Sequence, residues 1–126
     1  MFKMMEGHGL GMGGMQGTCG AITGAVAVLG AVNSNGDLEH PVSKTDTYKL
    51  SRELVNRFQE KNGVIACKDL KGVETGKVVR SCPGCIEDAA TILAENFRRK
   101  IRIYWNIKQV CFYSFLFFSV SCAVML

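Results

Sequence analysis

The sequence predicts a small all-α domain, and three observations carry that prediction. Apolar residues recur at helical spacing in three separate stretches, each bounded by start or stop signals. No stretch alternates apolar and polar residues long enough to make a strand, and Val78-Val79 is too brief to count. The length of 126 residues, 48% of them hydrophobic, suits one domain with a modest core. The expected organisation is a cysteine-containing helical body over 1–100 and a hydrophobic tail over 101–126.

The body opens on a glycine-rich loop. Glu6–Gly17 places glycines at 7, 9, 11, 13, 14 and 17 with methionines between them. Gly9-x-Gly11-x-x-Gly14 formally matches a dinucleotide fingerprint, but that fingerprint needs a preceding strand that the short N-terminal stretch does not supply. A flexible loop shaping the neighbouring Cys19 is the better reading. Met4, Met5, Met12 and Met15 are read as loop packing, and His8 and His40 as surface residues, with His8 near enough to Cys19 to be a reserve ligand.

Thr18 is expected to cap a helix running to about Ala31. Alanine, valine, isoleucine and leucine lie on nearly all its sides, a pattern that predicts burial all round. Asn33–Asp37 reads as a turn, and the loop continues through Pro41. A second helix starts at Thr45 or Asp46 and ends near Lys61 before Asn62-Gly63. Its expected apolar face is Tyr48, Ser51, Leu54, Val55 and Phe58, with Lys49, Arg52 and Arg57 on the wet side. Cys67 falls on a short apolar turn, Val64–Leu70, with room for one or two helical turns, and Lys71–Lys77 is a polar loop. The last helix of the body starts at Cys82-Pro83, where proline suits a first helical turn. Its expected stripe is Ile86, Ala89, Ala90, Leu93 and Phe97.

Charge and cysteine usage narrow the function classes. All 11 acidic residues lie between Glu6 and Glu95, and 1–100 is nearly neutral. The basic residues are scattered apart from Arg98-Arg99-Lys100, so no nucleic-acid partner is indicated. No hydrolytic triad or paired carboxylate set is evident. Six irregularly spaced cysteines without an N-terminal apolar run fit a cytoplasmic protein using sulfur for chemistry or metal better than a secreted disulfide scaffold.

Two local arrangements stand out. Cys19 follows the glycine loop at a helix mouth, where unpaired N–H groups and the positive end of the dipole favour a thiolate. Cys82-Pro-Gly-Cys85 places two thiols at another helix start, a spacing that can close a small disulfide. With Cys67 these make a four-thiolate set, Cys19, Cys67, Cys82 and Cys85. Thiol chemistry, zinc and an Fe–S cluster all remain open for it, and a dithiol mechanism requires no cofactor.

Cys19-Gly-Ala-x-x-Gly24, Cys67 and the Cys82/Cys85 pair, in that order, resemble the motif of the C-GCAxxG-C-C family, over about residues 7–97. The family pattern also has a cysteine upstream of the glycine loop, which Met1–Glu6 do not contain, and its last cysteine corresponds to Cys82 or Cys85. The resemblance implies a redox role. Thiol–disulfide exchange or Fe–S electron transfer with a redox partner protein is the expected function. A structural zinc module and a membrane-anchored interaction protein are the alternatives, and a homodimer remains open.

The tail bears on the last alternative. Residues 110–126 carry no charge and, as a helix, would reach about 25 Å, the short limit for spanning a bilayer. The preceding Arg98-Arg99-Lys100, Arg102 and Lys108 would keep the body on the cytoplasmic side. The segment is read as a membrane anchor or a non-native extension, with Cys111 and Cys122 incidental.

Overall fold

The computed structural model describes residues 2–100 and 102. Contacts group the chain into two units, Met1–Ala94 and Glu95–Leu126. Helices α1 (Phe2–Met5), α2 (Gly20–Asn33), α3 (Lys44–Asn62) and α4 (Cys67–Leu70) are followed by α5 over 82–100. The described residues contain no strand, only an isolated antiparallel bridge between Thr18 and Ala66. The all-α class holds, with the short α1 added to the three expected helices and the Val64–Leu70 turn containing α4.

The core of the first unit draws on four helices. Ile22, Ala25 and Leu29 of α2 meet Leu54 and Phe58 of α3, Leu70 of α4, and Cys85, Ala89 and Ile92 of α5. Burying Leu54 and Phe58 fully is worth about 1.5–3 kcal/mol for each side chain. The α2–α3 connection is fixed by Asn33, whose side-chain amide donates to Thr47 Oγ1 at 2.8 Å. Gly63, at φ +80°, closes α3 as its N–H reaches the Gln59 carbonyl.

Four local expectations need correction. Thr18 does not cap α2. Its backbone is engaged in the bridge to Ala66, so Cys19 takes the cap position one residue later. Helix α2 is not buried all round either: it buries Ile22, Ala25 and Leu29, while Ala31 and Val32 are exposed. Tyr48 lies outside the α3 packing face, with the Lys44 ammonium over its ring. On α5 the buried stripe is rotated from the expected one. Ile86 and Ala90 face water, and the carboxylate residue Asp88 is inside.

The glycine-rich segment is wound more tightly than an ordinary loop. A 3₁₀ turn, Glu6–His8, leads into a coil in which Leu10, Gly11, Met12, Gly13 and Met15 all take positive φ. The tail expectation over 101–126, with Cys111 and Cys122, falls outside the described residues apart from Arg102. Among the described residues no helix is long and apolar enough to cross a membrane.

Candidate redox site

The main chain brings the first two cysteines together. Cys19 N–H donates to the Ile65 carbonyl at 2.9 Å, and Cys67 N–H donates to the Gly17 carbonyl at 3.0 Å. Together with the Thr18–Ala66 bridge, these bonds lay the entry to α2 antiparallel to the entry to α4. The glycine segment closes over the pair. A Cβ on Gly11 would come within 2.6 Å of Cys67 Cβ, and φ at Gly11 is +57°. Glycine therefore meets both a steric and a conformational demand at that position. At the mouth of α2, a Cβ on Gly20 would come within 2.8 Å of the His8 carbonyl oxygen.

The second pair arrives through a different route. Val79 and Arg80 N–H groups both donate to the Leu70 carbonyl, at 3.0 and 3.2 Å, which sets the approach of α5 beside α4. Ser81 then caps α5. Its hydroxyl accepts the Gly84 N–H at 3.2 Å, and its carbonyl accepts the Cys85 N–H at 2.9 Å. Cys82 is left exposed at the helix mouth, whereas Cys85, one turn inside, is buried. All four cysteines are free thiols.

The surroundings of the sulfurs differ sharply. The Lys71 ammonium donates a hydrogen bond to Cys82, and that contact raises the pKa of the lysine. The Cys85 thiol is pushed up to about 12, first by burial, then by the nearby Cys19, to which it also hydrogen-bonds, and further by Cys82 and Asp88. Burial also pushes the Cys67 thiol up; Cys19 adds to the shift and Lys71 opposes it. Cys19 and Cys82 thus act electrostatically on both Cys67 and Cys85.

A charged clamp lies behind the Cys82–Cys85 turn. Asp88 is 1% exposed, yet it accepts two hydrogen bonds from Arg80, each 3.0 Å, and sits 2.7 Å from Lys61 Nζ. Burial alone would raise the Asp88 pKa, but hydrogen bonds from Lys61, Arg80 and Asn62 overcome it and hold the carboxyl low. The pinned guanidinium lies against Gly84, where an added Cβ would meet Arg80 Nε at 2.5 Å. The middle of the cysteine turn thus has to be small. Lys71, read as the first residue of a polar loop, and the Arg80–Asp88–Lys61 group were missed by the sequence reasoning. The one available signal was an arginine and an aspartate flanking the two cysteines.

Other predicted positions fall outside this chemistry. His40 is exposed, 3.8 Å from Asp37. His8 is half-buried with Nδ1 enclosed. Among the described residues no group of three or more His, Cys, Asp or Glu stands so as to hold a metal ion.

The fold is that of a small helical protein with free cysteines at the starts of α2, α4 and α5. The family described as "Putative redox-active protein (C_GCAxxG_C_C)" matches residues 1–96, and the chain belongs to that family. That membership supports a redox-active role in general terms. No curated protein and no solved structure matches the chain.

Proposed function

We propose that the protein is a reducing dithiol, passing two electrons from Cys82 and Cys85 to a disulfide on a partner protein. The observation that carries this reading is the contrast within one helical turn. Cys82 is exposed beside an ammonium group, whereas Cys85 is buried with its thiol pushed up to about 12.

The chemistry proceeds in two displacements. The Cys82 sulfur attacks one sulfur of the partner disulfide, a mixed disulfide forms, and the partner's other sulfur leaves with the bonding electron pair. The Cys85 sulfur then attacks Cys82, closing the Cys82–Cys85 bond and expelling the second partner sulfur. The two protons given up by the thiols end on the partner's new thiols. Exposure of Cys82 supports the first step, because a partner disulfide can reach its sulfur. Cys85 supports the direction. A buried sulfur that is costly to ionise is a poor leaving group, so the closed disulfide resists reopening and electrons flow outward.

The test mixes reduced full-length protein with oxidised glutathione and follows the products by mass spectrometry. At early times the wild type should lose two thiols from the 81–98 peptide without retaining glutathione. Cys85→Ser should accumulate a stable glutathione adduct on Cys82. Absence of that adduct, with Cys82 inert in the wild type, overturns the reading.

A further inference from the structure

Cys19 has no task in the exchange just described, yet it is buried at the mouth of α2 in the same core cluster as Cys85. Burial in that shared cluster is the first cause that pushes the Cys85 thiol up and Cys19 is the next, whereas Cys82 stands outside the cluster and is exposed. We infer that Cys19 is an internal relay cysteine that takes over the disulfide from Cys82, moving the oxidised bond from the surface to a buried Cys19–Cys85 pair. This inference rests on the dithiol reading, since the Cys82–Cys85 bond is its starting point.

The step balances without an outside oxidant. The Cys19 sulfur attacks Cys85, forming the Cys19–Cys85 bond. The Cys85–Cys82 bond breaks, and its electron pair leaves on Cys82. The proton given up by Cys19 is returned to the Cys82 sulfur. One disulfide is consumed and one is formed, so no net oxidation occurs.

Three features favour the forward direction. The leaving sulfur, Cys82, is the exposed one, so it emerges into water rather than into the core. Joining Cys19 to Cys85 removes a buried thiol whose ionisation Cys19 opposes. The attacking sulfur is also held in place, because the Cys19 main chain is bonded to Ile65 and starts α2. The consequence for function is a store. After transfer, Cys82 is again a free exposed thiol, while the disulfide lies beyond the reach of small external thiols.

The decisive experiment oxidises full-length protein with oxidised glutathione and quenches at intervals by alkylation in acid. Disulfide-linked peptides are then mapped without reduction. The expected result is early Cys82–Cys85 bonding within the 81–98 peptide. It should be replaced over time by a cross-link from Cys19 to Cys85 with Cys82 alkylated. In Cys19→Ser the cross-link should be lost and the Cys82–Cys85 bond should persist. A wild-type protein that holds only the Cys82–Cys85 bond at every time overturns the relay and leaves the dithiol reading standing. A protein that forms no disulfide among these cysteines overturns both.

Discussion

At the start of α2, Cys19 is buried, no side chain caps the helix, and the main chain is tied to Ile65. At the start of α5, Ser81 caps the helix, Cys82 faces water, and Lys71, Arg80 and Asp88 surround the turn. Both sites place sulfur at the positive end of a helix, so that device alone does not separate their roles. Exposure and fixed charge do. On the proposed reading, the α5 start meets a partner and the α2 start receives what the first has accepted.

Substitutions can break or sharpen this contrast. The largest effect is expected from Cys82→Ser, which should abolish reaction with oxidised glutathione, measured as glutathione released over time. Retention of wild-type rates would mean that the exposed start is not the entry point.

Next in size, Asp88→Asn should lower stability by about 2–3 kcal/mol, read from urea unfolding, because it weakens a buried, charge-assisted cluster. The same carboxyl sets an acid limb. Its folded pKa lies below the ordinary 3.8, so its contribution is complete above that value and declines as pH falls toward the folded pKa. In the asparagine variant that part of the acid dependence should vanish. Stability unchanged in both respects would remove the clamp from the account of α5.

A smaller change is expected from Lys71→Met, which should slow alkylation of Cys82 severalfold near neutral pH while leaving the helical circular dichroism unchanged. Equal rates would show that exposure without charge suffices. The smallest effect belongs to the outer face of α2. Nothing lies within 4 Å of a Cβ added at Gly24, so Gly24→Ala should raise stability by about 0.5–1 kcal/mol through helix propensity, with no change in glutathione release. A loss of stability would reveal a close neighbour on that face.

Much of this architecture was legible in the chain, for physical reasons that are local. Gly63 and Cys82-Pro83 mark a helix end and a helix start because a positive φ and a missing N–H act on their own residue. The family was legible through the order of its cysteines and glycines along the sequence. The rotation of α5 was not. Placing Asp88 inward depends on Lys61 from α3 and Arg80 from the preceding segment, and a periodicity read from apolar residues alone turns Ile86 inward instead. Lys71 was hidden for the same reason. Its partner is set by two hydrogen bonds to the Leu70 carbonyl, which no spacing announces. Helix α2 errs the other way. Its apolar composition describes what the helix could bury, while only three of its residues, Ile22, Ala25 and Leu29, find enclosure.

The bonds from Cys19 to Ile65 and from Cys67 to Gly17 have one more consequence. The chain leaves this tie along α2 and returns to it after α3, so everything between is a closed excursion anchored at its base. Its far end, residues 34–43, is exposed at every position but Ser43. Exposed loop tips tolerate insertion because few buried contacts are disturbed. A fluorescent reporter spliced there would ride on the helical hairpin as on an outrigger, leaving the sulfur centre at the hull undisturbed.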